Sequence, residues 1–461
     1  MKALFLFPAL AALTLGCAST TKIGDAPKQY KGFTLEKTYE PYPELKVFEY
    51  VHKKSGLHVV LTPRPGTETI AYVTAFDVGS RFEEKGRTGL AHLFEHMMFR
   101  GTESFPKPFE TIADWGNNFN AYTSRDMTVY FGTVPAELLP EVAKFEGERM
   151  RQLLITPQGF QQERGAVVSE RKMRTEDSPS GRLSWELYLL AFKEHPYRVG
   201  PIGFQKDLDA SSFEDALNFY QRYYAPNRAV ISIAGGFDPK ATLDILSKNY
   251  GAYESVDVKE PTKVVEPPFT GIRRKVIRLK TESALISDAT HGLSADDKDA
   301  AAEVLMCVLL ADNDIGYLGN TLVEKGIAQS VGASCSPSKE PGLSMIIIQG
   351  SGKISAAKLE TEYGAALSGF PKWLSKDRVE NLKLYFMGSQ LASLREPDEL
   401  AEAFATSYVL TKNPMMSIDF LKQIQGVTYE DVLRRFVLRA KSGKIRVLIE
   451  PSKVSDPISG S

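Results

Sequence analysis

The sequence is poor in the residues that staple or clasp a small fold: it has 3 Cys and 6 His in 461 residues. Three cysteines cannot build a disulfide framework, and so few histidines make any close pair worth explaining. Charge of one sign is also missing. Lys and Arg number 56 against 57 Asp and Glu, a formal net charge of −1, which argues against an electrostatic nucleic-acid binder. Apolar residues make up 43 % and charged residues 25 %, the shares of a globular chain rather than a disordered one. At roughly 100–200 residues per domain, the length allows two to four domains.

Long apolar runs are scarce too. The run Ala3 to Leu15 follows Met1-Lys2 and is too short to span a bilayer as a helix. It ends in Leu13-Thr14-Leu15-Gly16-Cys17, so residues 1–16 read as an export signal. A small residue directly before cysteine resembles the bacterial lipoprotein signal, which implies cleavage before Cys17 and a membrane-anchoring lipid upon it. Thr14 departs from the aliphatic residue usual there, and the alternative is an ordinary secretory signal cut near the same place. Both export the chain. Ala18, rather than aspartate, after the cysteine points to the outer membrane, so a periplasmic, lipid-anchored protein is expected. Cys307 and Cys335 then read as small core residues rather than a redox pair, with one disulfide as the other option.

Residues 17–41 read as a polar tether. Beyond them strand-like and helix-like segments alternate: strands at Leu57 to Leu61 and Ala71 to Val78, a helix at Thr88 to Arg100, and a hairpin at Phe119 to Val134. Helical patterns follow at Ala136 to Leu154 and Pro157 to Arg174. Residues 254–273 are proline-rich, charged and aperiodic, hence a linker. It separates a first lobe at 42–253 from a second at 274–451, with a tail at 452–461. Phe213-Glu214-Asp215-Ala216-Leu217 leads to the strand Ala229 to Ile233. The same grammar recurs at Tyr429-Glu430-Asp431-Val432-Leu433 and Ile445 to Ile449. With the central linker, this predicts a duplicated α+β lobe.

The chemistry concentrates in Gly89-Leu90-Ala91-His92-Leu93-Phe94-Glu95-His96. On a helix, His92 and His96 lie one turn apart on one face, a spacing that holds a single zinc ion. Glu95 lies beside that face and could take a proton from a water that zinc acidifies, the inverted form of the His-Glu-x-x-His arrangement. A third ligand is required. Glu170 and Glu163, seven apart on the helix from Pro157, offer a ligand and a supporting carboxylate, with Glu176 and Asp177 as alternatives.

These residues, with Gly101-Thr102, "GNNFNAYTSRDMTVYF" at 116–131 and "ERGAVVSE" at 163–170, resemble the pitrilysin-type metallopeptidases, the family of insulin-degrading enzyme and the processing peptidases. The resemblance implies an α+β fold of two homologous lobes, each a mostly antiparallel sheet covered by helices, and a zinc endopeptidase acting on peptides or unfolded segments. It makes His92, His96 and Glu170 the zinc ligands, Glu95 the general base and Glu163 an auxiliary acid. By the same resemblance, Asn120 and Ala121 fall on the family's substrate-binding edge strand, where an extended peptide adds by β-augmentation. It further implies a half-molecule that pairs with a second such chain, as heterodimer or homodimer. Tyr317 and Gln329 stand where the family's second lobe commonly carries an Arg and a Tyr that hold the substrate carbonyl, so the partner is expected to supply them. The rival expectation is a catalytically silent scaffold subunit.

Overall fold

The structure, a computed structural model, describes residues 26–43, 45–116 and 118–460. The signal at 1–16 and Cys17 lie outside the described residues. Much of the stretch read as a tether is sheet: β1 (Gln29–Tyr30) and β2 (Phe33–Tyr42) begin the first lobe. β2 is polar because every residue after Phe33 keeps some contact with solvent, but Phe33 is buried and the strand pairs along β3 (Leu45–His52).

Completing the first sheet are β4 (His58–Pro63), β5 (Thr69–Phe76), β6 (Phe119–Thr123), β7 (Thr128–Pro135) and β8 (Ala229–Gly235), in the order β1-β2-β3-β4-β8-β5-β7-β6. A second sheet contains β9 (Ile272–Leu279), β10 (Leu285–His291), β11 (Ala328–Ser334), β12 (Leu343–Gly350) and β13 (Lys444–Pro451), ordered β11-β12-β10-β13-β9. Residues 254–270, before β9, form neither helix nor strand. The run β4-β8-β5-β7-β6 matches β9-β13-β10-β12-β11 strand for strand. Each has one parallel pair, β4 with β8 and β9 with β13, and is otherwise antiparallel.

Helices of the first half are α1 (Leu90–Met97), α2 (Pro108–Asp114), α3 (Leu139–Arg151), α4 (Pro157–Arg171), α5 (Pro179–Ala191), α6 (Gln205–Ala210), α7 (Phe213–Tyr223) and α8 (Pro239–Tyr250). Those of the second are α9 (Ala300–Ala311), α10 (Ala356–Leu367), α11 (Phe370–Trp373), α12 (Lys376–Ser393), α13 (Pro397–Thr411), α14 (Met416–Gly426) and α15 (Tyr429–Lys441). The repeat seen in the sequence is structural. α7 and α15 open with the same capping box, Ser212 with Asp215 and Thr428 with Asp431, and each leads to its parallel strand. Among the described residues no helix is long and apolar enough to cross a membrane.

The two halves exchange a helix. One face of the first sheet packs on α1, α3, α7 and α8, while Leu400, Phe404 and Tyr408 of α13 cover the other, against Val60, Val73 and Val230. Reciprocally, Leu183 and Leu187 of α5 cover the second sheet at Ile277, Ile445 and Val447. Burying each such side chain contributes about 1.5–3 kcal/mol, so neither sheet is complete without the other half.

A buried polar joint lies where the halves meet. Lys339 donates to Asp77 Oδ1 at 2.7 Å and Lys412 to Oδ2 at 2.9 Å. Tyr197 donates to Asp126 Oδ1 at 2.6 Å and accepts from Glu340 N, while His195 Nε2 lies 2.7 Å from Glu340 Oε2. Cys307 of α9 is a core residue, and of the two readings of the lobe cysteines the disulfide holds: Cys307 is bonded to Cys335, the residue after β11, across a Cα separation of 6.4 Å, within disulfide reach.

Candidate metal centre

α1 is shorter than its sequence pattern because Gly89 begins it in the left-handed region, at φ 96°. Leu208 Cδ2 would lie 2.6 Å from a Cβ there, so glycine alone fits. The orphan amides of its first turn are met by Glu83, which accepts from Gly89 N at 2.9 Å and Ala91 N at 2.8 Å. Leu93, Phe94 and Met97 face the core; Phe94 stacks on Tyr220 at 5.0 Å between ring centroids. The tyrosine cluster at 220–224 therefore packs behind α1, and the opposite face carries His92, Glu95 and His96.

α4 crosses α1. Thr156 caps it by accepting from Gly159 N at 3.0 Å, and Pro157 occupies its first turn. Glu170 Oε2 lies 3.2 Å from His96 Nε2 and 3.7 Å from His92 Nε2. Ligands on a tetrahedral zinc at its usual bond lengths stand about 3.3 Å apart; the two Glu170 separations are near that value, and all three ligand atoms lie within 4.8 Å of one another. Glu176 is paired with Arg171 and Asp177 is exposed at the end of a π-helical turn, so neither joins the cluster. That turn, Lys172–Glu176, brings Arg174 Nε to Glu170 Oε1 at 2.9 Å.

Glu163, one α4 face with Glu170, lies 3.3 Å from His96 Nδ1 and is itself held by Arg100 Nη2 at 2.7 Å. Donation of Nδ1–H to Glu163 fixes the tautomer in which, once the Nε2 proton is lost, the Nε2 lone pair would serve a metal ion shared with Glu170. Burial alone would lower the His96 pKa, but Glu163 and Glu170 hold it up at about 9. His92 has no such partner on Nδ1 and is pulled down to about 4, by burial first. Hydrogen bonding from His96 leads the effects that keep Glu170 below the usual carboxylate range.

Glu95 accepts from Thr123 Oγ1 at 2.6 Å. Burial raises its pKa despite that bond, which suits a carboxylate that must take up a proton. Asn120 and Ala121 lie on β6, the open edge of the first sheet. Thr133 N bonds Asn118 O, so by strand alternation Phe119, Ala121 and Thr123 turn their backbone groups outward. The outward Ala121 N–H is met by Asn120 Oδ1 at 2.9 Å. Tyr317 and Gln329 are elsewhere: Tyr317 packs on Phe370 and Trp373 and donates to Ala366 O, and Gln329 is exposed on β11. Sequence reading missed Thr123, Arg100 and Arg174; only "TSR" at 123–125, inside the quoted stretch, carried any signal of them.

Two family descriptions match in tandem, insulinase (peptidase family M16) over residues 58–198 and peptidase M16 inactive domain over 211–367. The chain belongs to the M16 peptidase family, in its half-size form. It is 26 % identical to the zinc protease PqqE of Helicobacter pylori, with 87 % of this chain and 92 % of that protein aligned. It is 22 % identical to a probable mitochondrial-processing peptidase subunit beta of Schizosaccharomyces pombe, over 88 % and 93 %. A solved protease from Helicobacter pylori superposes at a TM-score of 0.82 and 25 % identity, covering 90 % of this chain and all of that one.

Proposed function

We propose that this chain is the metal-holding subunit of an exported zinc endopeptidase. The observation that carries the reading is the convergence of His92, His96 and Glu170 at zinc-ligand spacing beside a carboxylate and an open sheet edge. His92, His96 and Glu170 would hold one zinc ion, which when bound polarises a carbonyl and acidifies water. Thr123 occupies Glu95 Oε2, leaving Oε1 to accept the proton of the attacking water. Glu163, braced by Arg100, orients His96. A peptide laid on β6 exchanges its backbone bonds with Ala121 and displaces the Asn120 amide oxygen from that N–H.

Two further elements belong to the reading. With Tyr317 packed inward and Gln329 on the second sheet's edge, donors to the substrate carbonyl would come from a second M16-like chain, each worth roughly 2.7–4 kcal/mol in the transition state. Export, with a lipid on Cys17, is supported by the signal-like start and by the Cys307–Cys335 bond, since disulfides persist in oxidising compartments. The test is zinc content and cleavage of a quenched peptide library by the chain alone, by the chain with an M16-like partner, and by Glu95→Gln. Stoichiometric zinc with partner-stimulated cleavage that Glu95→Gln abolishes is expected. Bound zinc without cleavage under any pairing would favour the silent-scaffold reading.

A further inference from the structure

A cavity of about 280 Å³ opens directly beside the metal centre, with His92 and Thr123 in its wall. Its charge is one-sided: Arg125, Arg174 and Arg198 line it and no aspartate or glutamate does. Arg174 is committed to Glu170. Arg125 is held rigidly, donating Nε to Tyr197 O at 2.9 Å with its guanidinium 3.5 Å from the Tyr188 ring centroid. Among the described residues neither Arg125 nor Arg198 makes an ion pair. One face of α5, Gly181, Ser184, Trp185 and Tyr188, forms another wall and brings the Ser184 hydroxyl to it. Trp185 supplies an apolar side and is fixed by donation to Ser459 O at 3.0 Å. Such a space suits a carboxylate on a short aliphatic stem.

The position of the cavity says which part of a substrate reaches it. β6 runs from Phe119 to Thr123, and Arg125 follows two residues beyond its end. A peptide added antiparallel, as the neighbouring strands are, has its N-terminal side beside Thr123 and its C-terminal side beside Phe119. We infer that this cavity is a specificity pocket for an acidic side chain, glutamate above all, on the N-terminal side of the bond to be cut, read by Arg125 and Arg198. The inference rests on the peptidase reading above and adds to it a substrate class.

Binding separates the two. Glu95→Gln protein, metal-loaded, is titrated with two fluorescent peptide libraries that are identical except for Glu or Lys on the N-terminal side of a randomised core. The Glu library binds at least about tenfold more tightly, with a margin that shrinks as salt rises. Arg125→Gln and Arg198→Gln each narrow the margin, and Arg198→Glu reverses it; Arg198 is not tied into the core, so its variants test the pocket even where Arg125→Gln fails to fold. Equal binding of the two libraries, or a margin that survives both arginine substitutions, overturns the inference. A Glu preference in binding without cleavage by the wild-type protein under any pairing sinks the peptidase reading and leaves the pocket standing. Cleavage indifferent to the charge sinks the pocket alone.

Discussion

Thr123, the last residue of the edge strand β6, donates its hydroxyl to Glu95 Oε2 at 2.6 Å. One contact thus ties the proposed base to the strand on which substrate would lie, so that the carboxylate and the scissile bond share a frame. Thr123→Val is expected to lower kcat about tenfold, the worth of one charge-assisted hydrogen bond, with KM and zinc content unchanged. Thr123→Ser should restore most of the rate, and a Thr123→Val enzyme as fast as wild type would remove this role.

Glu95→Gln, by contrast, removes the proton acceptor itself. Turnover should fall by about 10²–10⁴ while zinc measured by atomic absorption stays at the wild-type level, because Glu95 is not among the grouped donors.

The Arg100–Glu163–His96 chain predicts an effect on metal affinity. Glu163→Gln should weaken zinc binding by about 10–100-fold in chelator competition, and Arg100→Ala should do the same to a smaller extent. Unchanged affinity in both would show that His96 is oriented by α1 alone.

The joint at Asp77 predicts acid sensitivity. Burial pushes the Asp77 carboxyl up, but Lys412, Lys339 and Arg228 outweigh it and hold the group at about 2, against an ordinary 3.8. A carboxylate depressed in the folded state gives stability that is complete above its unfolded value and lost as pH falls through the folded one. The window is therefore pH 3.8 down to 2, and the amount about 2 kcal/mol. Urea unfolding across that range should show the loss in wild type and a shallower one in Asp77→Asn.

Helix exchange predicts that the first lobe is not autonomous. A chain ending at residue 253 lacks α13 and leaves Val60, Val73 and Val230 without cover, so it should bind a hydrophobic dye and aggregate, while co-expression with residues 254–461 rescues it. In the full chain, Phe404→Ala should cost about 3–5 kcal/mol.

The grouping of His92 and His96 was legible because helix geometry converts a spacing of four into a shared face, and because few other histidines compete. The duplicated lobe could be read for a similar reason: capping residues and a following strand are local signals that survive at both sites. What escaped was set by contacts between distant segments. Thr123 reaches Glu95 across 28 positions, and nothing near either residue announces the bond. Cys307 and Cys335 are also 28 apart, and only the packing of α9 against β11 brings them together. β2 looked like a tether because a largely exposed strand keeps the polar composition of a linker. Nothing in the local sequence of α5 or α13 says whose sheet each will cover.

That exchange also fixes a sequence of events. The first sheet gains its last strand at β8 but waits for α13, on the far side of the linker and the second sheet, before one of its faces leaves water. α5, made much earlier, waits likewise for β13 at the end of the chain. Contacts so remote in sequence close slowly, and a partly made polypeptide carries one uncovered sheet face and one uncovered helix face until synthesis is well advanced. Folding of this protein is therefore a late, concerted event rather than the settling of one lobe after another, and unfinished chains are the form most in need of a chaperone.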